Sequence, residues 1–137
     1  MSETRKRALT EIIKVRWGDM DAFGHVNNIN FFQYMEQARI CWFDALSPTL
    51  TDGDQGPVIV SACCTFIKPI VYPATIAVSV DVGELGRSSI PISHEIYLES
   101  DPAVRFAEGQ TTIVWVDRKL GKSVPLPAQF REFMARF

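Results

Sequence analysis

The chain has 137 residues, of which 47% are hydrophobic and 22% charged, a balance typical of one soluble globular domain. The formal net charge is −2 and the only basic run is Arg5-Lys6-Arg7, which argues against nucleic acid as the main partner. No secretory signal and no apolar run of membrane-spanning length are visible, so we expect a cytoplasmic protein without a membrane partner.

The first half of the chain predicts a strand, a polar turn and one long helix. Residues 1–8 have the character of a frayed, charged start, and residues 11–17 alternate apolar and polar side chains as a strand does. Residues 18–28 form the polar turn. Helical spacing extends over residues 29–46, and Ser47-Pro48 predicts the end of the helix, because proline removes a backbone donor.

The long helix is expected to bury one apolar stripe and to be the central element of the domain. About 17 residues at 1.5 Å each make a helix of about 25 Å, which is long for so small a domain. The side chains of the predicted stripe are Phe31, Met35, Ala38, Trp42 and Ala45, with Phe32 and Phe43 widening it.

The second half predicts strands separated by turns. After a loop at residues 51–56, the predicted elements are strands at 58–68, 75–85, 88–99 and 104–116, a polar turn at 117–122 and a short helix at 127–137. Tight turns imply antiparallel neighbours. We therefore predict an α+β fold in which one antiparallel sheet packs on one helix.

The polar turn concentrates the chemistry-bearing side chains of the chain. Asp19, Asp21, His25, Asn27 and Asn28 fall within ten residues, directly before the long helix. A helix start exposes backbone N–H groups that can stabilise an oxyanion, and a nearby carboxylate can act as base or nucleophile. The alternative for Asp21 is an ordinary cap or loop residue.

The remaining polar candidates have structural explanations. We expect Asp19 to close the turn, and His94, which falls in the apolar register of its strand, to be a core or interface histidine. A metal site built from Asp19, Asp21 and His25 would draw every ligand from one short turn, so we predict none. The three cysteines, two of them adjacent, fit neither a disulfide framework nor a zinc site.

One stretch resembles a known enzyme family. Residues 16–28 read RWGDMDAFGHVNN, and this string resembles the motif of the 4-hydroxybenzoyl-CoA thioesterase-like family of hotdog-fold acyl-CoA thioesterases. Further matches are Phe31, Tyr34, Glu36, Arg39, the segments FIKP (66–69) and GRSS (86–89), and Leu126-Pro127.

The resemblance implies a hotdog fold, in which a curved antiparallel sheet of about five strands wraps a long central helix. By position, the catalytic carboxylate falls on Asp21, as nucleophile or as base for water. The oxyanion donor falls on the backbone N–H of Asn28, Gly24 shapes the pocket, and the role of His25 stays open.

The resemblance also implies how substrate and partner bind. Arg87, Ser88 and Ser89 match the turn that contacts coenzyme A from a neighbouring subunit, and Asn27 joins them as a substrate-binding residue. The family forms homodimers and often homotetramers, with the active site at the dimer interface. No metal and no other cofactor is expected.

We therefore expect residues 1–137 to form a single hotdog thioesterase domain that hydrolyses an acyl-CoA to free acid and CoA. An alternative is a non-catalytic module of the same fold that binds acyl-CoA or an acyl-carrier protein. A hotdog dehydratase is a third hypothesis, but its motif differs. The acyl length, the choice between CoA and carrier protein, and the choice between dimer and tetramer stay open.

Overall fold

The architecture is one antiparallel sheet with a long helix across it. The computed structural model describes residues 5–46 and 53–136. In chain order the elements are β1 (Lys6–Lys14), a 3-10 turn (Trp17–Asp19), α1 (Asn28–Leu46), β2 (Gln55–Phe66), β3 (Thr75–Val82), β4 (Ser89–Leu98), β5 (Asp101–Asp117), β6 (Lys122–Ser123) and α2 (Ala128–Ala135). No helix in these described stretches is long and apolar enough to cross a membrane.

The strands lie in the order β1-β3-β4-β5-β2, and β6 pairs with β5. Every pairing is antiparallel, so the predicted α+β architecture is confirmed. One predicted neighbour relation was wrong. β2 does not pair with β3, the next strand along the chain. It pairs with β5 and forms an edge of the sheet. The connection between β2 and β3 crosses the fold and carries a cis peptide bond at Tyr72-Pro73.

The core lies between α1 and the sheet face that carries alternate residues of β3, β4 and β5. The buried side chains of α1 are Phe31, Tyr34, Met35, Ala38, Arg39 and Trp42. The predicted stripe is thus confirmed at its centre. Ala45 is exposed, because the buried face of α1 is shifted to include Tyr34 and Arg39. The helix stop predicted at Ser47-Pro48 lies outside the described residues.

The start of the first strand was predicted wrongly. Residues 6–8, expected to be frayed, belong to β1, and Lys6 and Arg7 pair with the end of β3. A bulge between Arg7 and Leu9 shifts the alternation, so the sequence pattern does not reveal the strand. Arg7 is held there by its ion pair with Asp81 at 2.7 Å. At its other end β1 stops at Lys14, and Trp17 already belongs to the 3-10 turn.

His94 occupies the core, as its register predicted. Its side chain is 1% exposed, and Nδ1 bonds the carbonyl oxygen of Ser79 at 2.8 Å. Burial lowers the pKa of His94 to about 4, so the imidazole is neutral at physiological pH. The imidazole thus occupies the carbonyl oxygen of Ser79. The hydroxyl of the same residue accepts a hydrogen bond from the backbone N–H of Glu95.

Close packing of α1 on the sheet depends on Gly109 in β5. A Cβ built there would meet the Met35 sulfur and approach the Cys63 carbonyl oxygen at 3.2 Å. A side chain at this position would have to displace the Met35 side chain and would crowd the β2 backbone at Cys63. Gly109 therefore leaves the space that the Met35 side chain of α1 fills against the sheet.

Replacing Gly109 with alanine is expected to lower the free energy of unfolding by about 1–3 kcal/mol, the usual cost of overpacking a core. Chemical denaturation followed by circular dichroism measures it. The matched control is Gly18→Ala, where an added Cβ meets nothing within 4 Å. Equal stabilities of the two variants would contradict this account of the packing.

Candidate active site

Asp19 fastens the polar turn to the long helix. Its carboxylate accepts hydrogen bonds from the Arg16 backbone N–H at 3.0 Å and from the Tyr34 hydroxyl at 2.7 Å. Its carbonyl oxygen accepts from the Asn27 N–H and from the Asn30 side-chain amide. The side chain is 4% exposed, so Asp19 closes the turn, as the sequence predicted.

The same contacts keep Asp19 ionised. Burial alone would raise the pKa of this carboxyl, but the hydrogen bonds from Arg16 and Tyr34 and the Arg16 charge outweigh it and lower the pKa. Burial and the Asp19 carboxylate in turn raise the pKa of Tyr34. The phenol therefore stays protonated and acts as a donor.

Asp21 and His25 face each other across a tight loop. The Asp21 N–H donates to the His25 carbonyl at 2.9 Å, and the Gly24 N–H donates to the Asp21 carbonyl at 3.1 Å. Gly24 has a φ of +84°, which side-chain-bearing residues rarely adopt. One Asp21 carboxylate oxygen accepts from the Phe23 N–H at 2.9 Å. The other has no protein partner within the described residues, so it is available for chemistry.

The start of α1 leaves one backbone donor open. Asn27 acts as the cap, because its side-chain oxygen accepts from the Ile29 N–H at 3.0 Å and its carbonyl accepts from the Asn30 N–H at 2.9 Å. The Asn28 N–H has no protein acceptor in the described part of the chain. It is therefore a free donor at the positive end of the helix dipole.

A cavity of about 230 Å³ lies beside this donor. Its walls are mostly apolar, and the Phe31 and Phe66 rings meet edge-to-face with centroids 5.0 Å apart. The lining residues are His25, Val26, Asn28, Phe31, Phe66, Ile67, Lys68 and Pro69. Asp21 is not among them; its backbone N–H donates to the carbonyl oxygen of the lining residue His25.

The structure brings the predicted site residues together in two separate groups. Asp21, Gly24, His25, Asn27 and Asn28 share one loop. Arg87 and Ser88 lie in the turn between β3 and β4, and Ser89 is the first residue of β4. β3 begins beside the end of β1, next to the loop, and runs to Val82, before the turn, so the two groups lie toward opposite ends of a strand about 23 Å long.

The β3–β4 turn carries a second arginine that the sequence analysis missed. The Arg131 guanidinium of α2 donates to the carbonyl oxygens of Gly86 at 2.6 Å and Arg87 at 3.0 Å. Arg87 itself is exposed and donates to the Ser88 hydroxyl at 3.1 Å. Only the fold places α2 beside this turn, so no local sequence signal could have identified the pair.

Lys68 was also missed as a site residue. It lies on the wall of the cavity next to Asn28, and its side chain is exposed. The FIKP segment had been noted as part of the resemblance, so the signal existed, but nothing in the sequence placed that segment against the start of α1. Lys68 is the one lysine or arginine among the residues that line the cavity.

A larger concavity, about 730 Å³, contains none of the predicted site residues. Its charged side chains pair with one another, as Arg7 does with Asp81 and with Glu95. The described residues also contain no cluster of His, Cys, Asp or Glu that could hold a metal ion.

Comparison with known proteins identifies the family. Residues 15–134 match the model of the thioesterase-like superfamily. The chain belongs to this superfamily. The resemblance carried by the Asp21 motif is therefore confirmed.

Relatives of this thioesterase-like chain agree in sequence and in fold. It is 28% identical over 125 residues to the long-chain acyl-CoA thioesterase FadM of Escherichia coli (strain K12), covering 88% of this chain and 92% of that protein. Among solved structures, the thioesterase candidate PA2801 of Pseudomonas aeruginosa is 40% identical with a TM-score of 0.87, covering 94% and 99% of the two chains. The acyl-CoA thioesterase candidate XC229 of Xanthomonas campestris is 36% identical with a TM-score of 0.75, covering 82% and 95%. The predicted hotdog fold and the prediction of a thioester hydrolase are both confirmed.

The Asp19–Tyr34 bond generates a stability prediction. Tyr34→Phe is expected to lower the free energy of unfolding by about 1.5–3 kcal/mol near neutral pH, because it removes a hydrogen bond to a charged group. The folded-state pKa of Asp19 is lowered, so the stability it confers is present above the ordinary aspartate pKa and is lost as pH falls through the lowered value. The difference between variant and wild type should therefore shrink in acid.

Urea denaturation at a series of pH values measures this effect. Tyr72→Phe is the matched control, because the Tyr72 hydroxyl has no hydrogen-bond partner in the described residues. A Tyr34→Phe deficit that stays constant down to the most acidic condition would argue against an ionised Asp19 as the acceptor.

Proposed function

We propose that the chain hydrolyses acyl-CoA thioesters at the start of α1. The observation that carries this proposal is the unpaired Asn28 N–H beside an apolar cavity. A thioester carbonyl seated there would place its oxygen on a fixed donor and its acyl group against apolar walls. Family membership and the similarity to a long-chain acyl-CoA thioesterase support the same chemistry.

The Asn28 N–H would act as the oxyanion donor. When a nucleophile adds to the thioester carbon, the carbonyl oxygen becomes negative, and a pre-positioned N–H stabilises that charge more than it stabilises the ground state. One such donor contributes about 3–4 kcal/mol to the barrier reduction. The helix dipole at the same position adds to this.

Asp21 would act either as the nucleophile that attacks the carbonyl carbon or as the base that takes a proton from water. In the second route the water oxygen bonds to the thioester carbon, the C–S bond breaks, and the proton passes from Asp21 to the leaving thiolate. The free carboxylate oxygen of Asp21 supports both routes. His25, bonded backbone-to-backbone to Asp21, lines the cavity and is positioned to orient the substrate.

The complete site would require two copies of the chain. Within one chain, Arg87 and the Asp21 loop lie toward opposite ends of β3, a strand about 23 Å long. A second copy can place its β3–β4 turn near the first copy's loop, so that Arg87 meets the phosphates of coenzyme A. We therefore propose a homodimer or a higher assembly, with the reacting groups from one chain and the nucleotide contacts from its partner.

Asp21→Asn is expected to keep the fold and to lose at least about 10²-fold in turnover, the usual contribution of a general base. A thiol-release assay across short, long and aromatic acyl-CoAs measures this and ranks the substrates. Asp101→Asn is the matched control, because Asp101 is exposed and also accepts from the backbone N–H two residues later.

Full activity of the Asp21→Asn protein would remove Asp21 from the mechanism. If the wild type turns over no acyl-CoA but binds CoA, the chain is a binding module rather than a hydrolase.

Arg87→Ala is expected to raise the KM for acyl-CoA several-fold at low salt with little change in kcat, because it removes a phosphate contact remote from the reacting carbonyl. The KM for an N-acetylcysteamine thioester, which has no phosphate, should not change. The control is Arg136→Ala, which removes an exposed arginine at the C-terminal end of α2. An equal rise in KM for both thioesters would place Arg87 outside phosphate binding.

A further inference from the structure

Arg131 of α2 captures two successive carbonyl oxygens of the β3–β4 turn. One nitrogen of its guanidinium donates to the carbonyl of Gly86 at 2.6 Å and to the carbonyl of Arg87 at 3.0 Å. The next carbonyl, that of Ser88, accepts from the Trp115 N–H at 2.8 Å. Three successive carbonyl oxygens of this turn are therefore bonded to donors of the protein.

The bonds from Arg131 also fix the direction of two amide N–H groups. In a trans peptide the N–H points opposite to the carbonyl of the preceding residue, and both peptides here are trans. Because the carbonyls of Gly86 and Arg87 meet the same nitrogen, the N–H groups of Arg87 and Ser88 both point away from Arg131. Neither N–H donates to another backbone group of the described residues.

The side chains of the same two residues carry further donors. Arg87 is exposed, and its guanidinium donates to the Ser88 hydroxyl at 3.1 Å. A hydroxyl that accepts from an arginine keeps its own proton for another acceptor. Arg87 and Ser88 thus offer two amides, one hydroxyl and one guanidinium. This set of donors suits a phosphate, whose oxygens accept several hydrogen bonds at once.

Arg131 can hold the turn because α2 is itself fixed to the core. Phe130 is fully buried, and its ring meets the Trp42 ring of α1 edge-on, with centroids 5.9 Å apart. Just before α2, the Leu126 N–H donates to the Arg87 carbonyl oxygen at 2.9 Å. The turn has no helix or strand of its own between the end of β3 and the start of β4. Its conformation is therefore held from α2.

We propose that Arg131 is a positioning residue for phosphate recognition. It holds the β3–β4 turn so that the Arg87 side chain and the amides of Arg87 and Ser88 face a phosphate group of the substrate. This inference rests on the acyl-CoA substrate of the proposed function, and it adds the residue and the two backbone donors that hold the nucleotide end. Without the Arg131 guanidinium, the two peptide units are free to rotate and their N–H groups no longer share one direction.

A direct contact with the phosphate is the other role that Arg131 could take. The two bonds to carbonyl oxygens favour positioning, because they direct the guanidinium toward the turn itself. The two roles predict different behaviour when Arg87 is also removed. A residue that acts through Arg87 loses part of its effect in that background, whereas an independent phosphate contact keeps all of it.

Arg131→Met is expected to raise the KM for acyl-CoA by about three- to tenfold with little change in kcat, because it weakens phosphate binding remote from the reacting carbonyl. The KM for an N-acetylcysteamine thioester, which has no phosphate, should not change. In the Arg87→Ala/Arg131→Met double variant, KM should rise by less than the product of the two single effects. A rise equal to that product would overturn the positioning role.

Arg118→Met is the matched control. Arg118 is also exposed and also donates to two backbone carbonyl oxygens, those of Gly53 and Gln55, at 3.4 and 3.3 Å. Its loss frees the carbonyls of a different loop, so the KM for acyl-CoA should stay at the wild-type value. A rise in KM as large as that of Arg131→Met would show that the effect is not specific to the Arg87 turn, and would overturn the proposal.

Nuclear magnetic resonance tests the orientation of the amides directly. Adding CoA to the wild type should shift the ¹H–¹⁵N signals of Arg87 and Ser88, and the shifts should be much smaller in Arg131→Met. Equal shifts in the two proteins would overturn the proposal. Arg131 is exposed, and methionine is a good helix former, so the variant is expected to fold, which circular dichroism checks.

Two further measurements separate this inference from the thioesterase mechanism. The Kd for CoA, from titration calorimetry, should rise in Arg131→Met as the KM does. A wild type that binds CoA but hydrolyses no acyl-CoA would refute the mechanism and leave the role of Arg131 supported by its effect on Kd. Unchanged KM and Kd in Arg131→Met would overturn that role and leave the mechanism. Acyl-dephospho-CoA, which lacks the 3′-phosphate, assigns the turn to that phosphate if the variant no longer differs from wild type, and to the diphosphate if it does; both results support the proposal.

Discussion

The geometry of the site depends on the buried Asp19 carboxylate. It takes a hydrogen bond from the Tyr34 hydroxyl of α1 and another from the Arg16 backbone, so one charged group joins the end of the first strand region to the central helix. The carbonyl of the same residue holds Asn27, the cap of α1. Because a buried charge is tolerated only where its hydrogen bonds are made, the loop has one low-energy arrangement. The free Asn28 N–H and the Asp21 carboxylate are positioned by this constraint.

The proposed reacting groups and the proposed nucleotide contact lie toward opposite ends of β3. The Asp21 loop lies where β1 ends and β3 begins, and the Arg87 turn lies where β3 ends, held by hydrogen bonds from Arg131 of α2. The strand between them is about 23 Å long, which is more than one side chain can span. In the proposed homodimer the two groups would come from different copies, so the substrate site would be larger than one chain of this size can enclose.

The pattern of apolar and polar residues predicted those helices and strands whose formation depends on neighbouring residues in the sequence. The helical spacing around Phe31 and Met35 and the alternation in β3 and β4 gave elements close to those observed, and the polar turn before α1 indicated the site. Three features depend on distant contacts and were not predictable in the same way: the bulge at Arg7, the pairing of β2 with β5, and the approach of Arg131 to the β3–β4 turn. The motif could indicate the candidate residues Asp21, His25 and Asn28 because they are nearly contiguous in sequence, whereas Lys68 and Arg131 come from separate segments.

The burial of Arg39 places a polar group in the packed layer between α1 and the sheet. A long cationic side chain on a helix normally extends into water, yet here it turns inward and donates to the Thr111 hydroxyl. Burial lowers the pKa of Arg39, and the Glu36 carboxylate, three residues earlier on α1, opposes that effect. The hydrogen bond to Thr111 therefore fixes the guanidinium against β5 at the cost of removing its charge from water.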